Sequence, residues 1–191
     1  GNLVASHTGF TAYEKTGSSS WTLSGSGSQH WFIREGTLSG NSSSLAGNLT
    51  FDTGPGARGV VFAQGTGGIY SGVISGDGNF TLTGAAGGGL TLTSAQSYTG
   101  LTTIQNGTLR MGTANALAPS SGVALNAGAW DLNGYDQTIK SLTGDAGTRV
   151  TLGSATLTVD ASAGSAYRGD ISGSGGLTKT GSGSLNIFGT N

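Results

Sequence analysis

The sequence contains no cysteine and only 2 prolines among its 191 residues. Without cysteine there is no disulfide framework, no thiolate metal site and no cysteine nucleophile. With so little proline, few hydrogen-bonded ladders are interrupted. Charge is scarce as well: 9% of the residues are Asp, Glu, Lys or Arg, and the formal net charge is −1. A nucleic-acid-binding protein needs a basic face, and this balance does not supply one. No apolar run approaches the roughly 20 residues a helix needs to cross a bilayer. No basic segment followed by an apolar one opens the chain, as a secretory signal would. The only histidines, His7 and His30, lie in different segments without a second ligand at helical spacing, so nothing points to a metal. Many serines are present, but none sits in a G-x-S-x-G elbow.

What the chain has in abundance is glycine, 38 residues of it, set between short apolar–Thr alternations. Phe80-Thr81-Leu82, Leu90-Thr91-Leu92, Leu101 to Ile104 and Thr108-Leu109 show the period of two that marks β-strands, with a turn about every ten residues. Such order separates the chain from low-complexity disordered sequences of similar charge.

The stretch also recurs. Tyr70-Ser-Gly-Val-Ile-Ser-Gly-Asp-Gly-Asn-Phe-Thr-Leu-Thr-Gly84 matches Tyr167-Arg-Gly-Asp-Ile-Ser-Gly-Ser-Gly-Gly-Leu-Thr-Lys-Thr-Gly181 without a gap. Lys15 to Gly25 matches Lys179 to Gly189, placing Trp21 with Leu185 and Leu23 with Ile187 as inward positions. Trp31 to Leu38 matches Thr102 to Leu109. Repeat units are thus read near 15–40, 70–112 and 167–191 of a single fragment spanning 1–191. The segment Ala114 to Ser121 breaks the rhythm, and the expectation there is a loop or one short helical turn.

Each strand offers only two or three apolar side chains, too few to offset its own ordering cost. Stacking solves this, because every coil covers the next. Strand starts near 80, 90 and 101 suggest three strands per coil, roughly two dozen residues per coil and about eight coils. Parallel strands joined this way favour right-handed connections. The expected fold is therefore all-β, a right-handed parallel β-helix with Leu, Ile, Val, Phe and the three Trp inside and Thr, Ser and Asn outside. An antiparallel sandwich also has short, regularly spaced strands. The unequal offsets between copies fit a solenoid better, since an insertion bulges from one coil without disturbing closure.

Ile171 to Leu185 and Gln96 to Leu109 resemble the autotransporter-associated β-strand repeat, and Val123 to Gly144 resembles the region that follows it. The resemblance covers 70–191 well and 15–40 loosely. It implies a passenger domain of a Gram-negative type V autotransporter, displayed at or released from the cell surface. A signal peptide and a C-terminal outer-membrane β-barrel would then lie outside these residues. It further implies an adhesin or virulence-associated stalk, with a host-cell surface protein, an extracellular-matrix protein or the chain itself as partner. Two alternatives stay open: a scaffold for a protease or esterase domain outside the fragment, and a self-associating module joining cells.

Candidate contacts are few. Arg168-Gly169-Asp170 is an RGD tripeptide, although Gly169 and Ile171 merely repeat Gly72 and Ile74. Tyr98, Tyr135 and Tyr167 are candidate exposed anchors for a surface that binds through polar contacts and aromatics. Gly54-Pro-Gly-Ala-Arg-Gly59 fits G-x-G-x-x-G, but the strand-like Val60-Val61-Phe62 follows in place of the helix that a dinucleotide site requires. Asp77, Asp131, Asp136, Asp145, Asp160 and Asp170 mostly adjoin Gly or Asn and read as turn residues. No catalytic centre and no cofactor site emerges.

Overall fold

In the computed structural model, residues 2–4, 10–85, 87–117 and 122–191 are described. They form β-strands joined by turns, arranged in sheets of ten, six, five and three strands. Every paired neighbour runs parallel, so the chain is a parallel β-solenoid. The alternation seen in the sequence is the reason. In Asn79–Gly84, Phe80 and Leu82 are fully buried while Thr81 between them is not. The same parity buries Leu90 and Leu92 in Gly89–Leu92. A continuous apolar core results, running from Trp31 to Ile171 and flanked by the half-buried Tyr13, Trp21, Leu23, Leu185 and Ile187. Each fully buried Leu, Ile or Phe contributes about 1.5–3 kcal/mol relative to exposure, and stacking delivers that to every coil but the outermost.

The coil closes differently from the spacing of strand starts. Phe80 pairs with Thr102, so the strands beginning near 80 and 101 occupy the same sheet one coil apart. Between them the chain crosses the six-stranded sheet at Gly89–Leu92 and the five-stranded sheet at Ser97–Tyr98. That last strand has two residues, too short to show a period. In the first part of the chain, Ser20–Ser24, His30–Ile33, Gly36–Gly40 and Leu49–Phe51 alternate between the ten- and five-stranded sheets alone. The intervening Gly/Ser-rich segments Gly25–Gln29 and Asn41–Ala46 lack apolar alternation and form no strand. With ten strands in its longest sheet, the stack has more rungs than the eight coils expected.

The sequence copies keep their structure but not their place. Tyr70 ends a strand of the six-stranded sheet, whereas Tyr167 ends one of the ten-stranded sheet. Ile74 and Ile171, and Thr81 and Thr178, are displaced by one sheet in the same sense. Lys15 and Lys179, by contrast, each end or approach the end of a strand that precedes a strand of the ten-stranded sheet.

Of the segment 114–121, residues 114–117 are turn and coil, and Ala116 and Leu117 are buried. Residues 118–121 lie outside the described residues, as does His7.

Candidate interaction surface

The corners of the solenoid are held by side chains that reach into the neighbouring coil. Gln96 is buried within the apolar stack. Its Oε1 accepts the Ile74 N–H at 2.7 Å, and its Nε2 donates to Ser94 O at 2.7 Å and Gly72 O at 3.2 Å. Gln137 repeats the arrangement, accepting from Leu117 N at 3.4 Å and donating to Thr113 O at 3.0 Å and Tyr135 O at 3.2 Å. Gln64 makes half of it. Its Oε1 accepts from Ser42 N at 3.4 Å, and its buried Nε2 has no partner among the described residues. Asn and Asp do the same at other corners: Asn48 accepts from Val73 N, Asn79 from Leu101 N, Asp136 from Thr156 N and Asp170 from Thr190 N, at 2.7–3.0 Å. Such bonds satisfy backbone groups that a turn leaves unpaired.

Lys15 is fully buried, its ammonium donating to the carbonyls of Thr16, Gly17 and, one coil on, Glu35. Lys179 in the matching sequence donates to Thr180 O and Gly181 O. The sequence showed the Lys-Thr-Gly recurrence but not this use of it.

Two of the three tyrosines expected at the surface are in the core. Tyr98 is fully buried, with its hydroxyl 2.6 Å from Thr102 Oγ1, and Tyr167 is fully buried, accepting from Thr148 Oγ1 at 3.3 Å and donating to Asp170 O at 3.4 Å. Strand parity turns both rings inward, and each phenol finds a partner there, as a buried tyrosine requires. Burial raises the pKa of Tyr167, opposed by its bond from Thr148. Tyr135, 40% exposed, is the one of the three that faces outward.

The RGD tripeptide forms the corner between the strands Ser165–Tyr167 and Asp170–Gly173, and only its Asp170 belongs to a strand. Arg168 and Asp170 are exposed and Gly169 is buried. Arg168 sits over the Phe188 ring at 5.0 Å, and Asp170 Oδ1 accepts from Thr190 N at 3.0 Å, so the next rung engages both charged side chains. A Cβ on Gly169 would stand 2.5 Å from Tyr167 Oη and 2.3 Å from Thr148 Oγ1. In the copy, a Cβ on Gly72 would stand 2.7 Å from Tyr70 Oη. The recurring Tyr-x-Gly therefore reflects a phenol folded over its own following glycine.

The turn at 54–59 wraps around Arg58, whose Nε donates to Arg34 O at 2.9 Å and Nη2 to Gly54 O and Pro55 O. The strand Arg58–Gln64 follows, as the sequence predicts, and no helix end faces this glycine pattern.

Charge is distributed unevenly over the outside. Arg34 bridges Glu14 and Asp52, both at 2.7 Å, Arg110 pairs with Asp131 at 2.8 Å, and Lys140 pairs with Asp160. All belong to, or directly follow, strands of the five-, six- and three-stranded sheets. In the ten-stranded sheet the one charged strand residue, Arg58, points inward. Its central outward row runs Thr22, Ser39, Val61, Thr81, Thr103, Ala124, Thr143 in register. Leu101, 41% exposed, flanks that row.

Concavities on the surface are shallow. A groove of about 430 Å³ is lined by Gly67, Gly68, Gly87 to Gly89, Ile69 and Arg110 among others, and holds no second titratable group. Among the described residues no three His, Asp or Glu side chains gather to hold a metal. His30 donates to or accepts from Thr50 Oγ1 at 2.8 Å and stacks on Phe32, with no carboxylate in that contact set.

No family model matches the chain, and no solved structure matches it. A sequence relative does: over 165 residues the chain is 39% identical to the adhesin BmaC autotransporter of Brucella suis biovar 1 (strain 1330). The match takes in 82% of this chain and 5% of that relative. The chain thus corresponds to a small part of a far longer protein. At that identity across most of the solenoid, the chain is a β-solenoid domain homologous to part of an autotransporter adhesin.

Proposed function

We propose that the chain acts as a surface-displayed adhesin segment, a stalk of stacked coils that attaches through its outward walls. The observation that carries this reading is the 39% identity to an autotransporter adhesin across 82% of the chain. The architecture supports it: a core-stacked solenoid offers long sheet walls, and among the described residues no three His, Asp or Glu side chains gather at one site. Partners would be a host-cell surface protein or an extracellular-matrix protein. The setting would be the Gram-negative cell surface, reached through an outer-membrane β-barrel elsewhere in the precursor. The 191 residues are read as one solenoid fragment. Its coils are read as right-handed and three-walled, the five- and three-stranded sheets being one wall interrupted between the strands Ser97–Tyr98 and Gln137–Ile139. Support comes from the strand order, in which Arg58–Gln64, Gly67–Tyr70 and Ile74–Gly76 visit three sheets before Asn79–Gly84 returns to the first, and from the general preference for right-handed parallel crossovers.

The test is attachment of the purified chain to cultured mammalian cells and to immobilised matrix proteins. Saturable binding that exceeds an unrelated β-solenoid of similar charge is the expected result. Binding no greater than that control on every surface would overturn the proposal.

A further inference from the structure

We propose that the outward face of the ten-stranded sheet is a homotypic docking surface that takes the same face of a second copy. Three observations converge on it. This is the only one of the four sheets whose strands carry no outward charge, while every ion pair described above lies on the others. Its central row consists of hydroxyls and small apolar groups, with Val61 between Ser39 and Thr81 and Ala124 between Thr103 and Thr143. Leu101 projects beside the middle of that row and lies over Gly122, where a Cβ would stand 3.3 Å from Leu101 Cδ1. A Cβ there would also meet Ser141 Oγ at 2.1 Å, so glycine leaves room for both side chains, and the exposed Leu101 forms an apolar anchor near the centre of the strip.

The occupant follows from charge and area. A basic or acidic partner would meet no complementary charge on this face. A second copy would meet the same uncharged pattern through a two-fold axis, which is how most homodimers associate. With a net charge of −1, copies do not repel one another strongly. Ten strands spaced by about 4.8 Å make a strip about 43 Å long. At about 10–14 Å wide it gives roughly 400–600 Å² per copy, or about 1,000 Å² for a pair, the lower limit of a specific interface. Pairing of isolated chains is therefore weak, and arrays of chains on facing surfaces would gain by multivalency. The inference deepens the adhesin reading by naming a partner.

Sedimentation velocity of the 191-residue chain from about 10 µM to about 1 mM covers the range in which so small an interface associates. A reversible dimer is expected, insensitive to salt because no charges meet. Thr103→Lys and Leu101→Lys should each weaken it at least tenfold, while Thr158→Lys on the three-stranded sheet leaves it unchanged. Chain that stays monomeric throughout overturns the proposal. So does dimerisation that collapses with added salt, or that Thr158→Lys weakens as much as Thr103→Lys does. The salt series uses the unaltered chain and decides the matter even if a lysine variant fails to fold. A chain that binds cells yet stays monomeric keeps the adhesin reading and overturns this one.

Discussion

Replacing Gln96 by leucine isolates the contribution of one corner clasp. Leucine is close to glutamine in volume and suits an apolar stack, so the variant creates little cavity or overpacking. What it removes is the acceptor of the Ile74 N–H and the donor to Ser94 O and Gly72 O. Leaving a buried backbone group unpaired costs about 1–3 kcal/mol. The Ile74 N–H bears the full cost, and the carbonyls less, because an sp² oxygen has a second lone pair. Burial of leucine in place of an amide returns part of this, so the net loss should be about 2–3 kcal/mol. In a solenoid each coil contacts its neighbours alone, and the loss should appear locally before it appears globally. Hydrogen exchange followed by mass spectrometry reads this directly. Amides of residues 72–76 should exchange about 30- to 150-fold faster, the equivalent of that loss, while residues 150–160 remain as they were. Gln64→Leu is the internal control. With one long bond at 3.4 Å and an Nε2 that has no partner among the described residues, it should cost less than about 1 kcal/mol. Equal effects of the two substitutions, or acceleration spread evenly along the chain, would refute the clasp argument.

Gly76→Ala should destabilise strongly, since Gly76 has a positive φ of 87° and an added Cβ would stand 2.1 Å from Phe51 O. Gly17→Ala, with φ of 72° and nothing within 4 Å, should cost only the about 1–2 kcal/mol of the left-handed conformation; urea unfolding compares them. Burial raises the pKa of Tyr70, whose hydroxyl donates to Gly47 O at 2.9 Å. A raised folded-state value means its contribution is complete below the unfolded value of about 10 and declines above it. Melting temperature should thus fall above about pH 10, and Tyr70→Phe should make that fall shallower; an unchanged slope would count against the assignment. Asp170→Glu should leave cell attachment within about twofold, because both charged RGD side chains are engaged by the next rung. Loss of attachment with the fold intact would restore the tripeptide as a contact.

The parallel stacking and most inward positions could be read from the residues, because a period of two with Leu, Ile, Val and Phe on one parity leaves little choice of face. Closure of the coil could not. Ser97–Tyr98 is too short to register as a strand, and the strand starting at Thr102 presents the same alternation as the one it stacks beneath. Tyrosine was the other weak point. A ring with a polar tip suits a surface as well as a core, and the partners that settle the matter, Thr102 for Tyr98 and Thr148 for Tyr167, become visible only once the coils are stacked. The buried glutamines carried a faint mark in the sequence: Gln96 and Gln137 each stand two residues before a buried strand residue, Tyr98 and Ile139. A polar side chain in a core-facing parity is informative when a turn's backbone must be satisfied nearby.

The displacement of matching strings from one sheet to the next has an evolutionary corollary. Because Tyr70 and Tyr167 serve equally well on different sides of the rod, a duplicated or deleted stretch need not equal a whole number of windings to be accommodated. Genes for such rods can lengthen and shorten in fractional steps, which rotate the pattern presented to the outside while the interior stays filled.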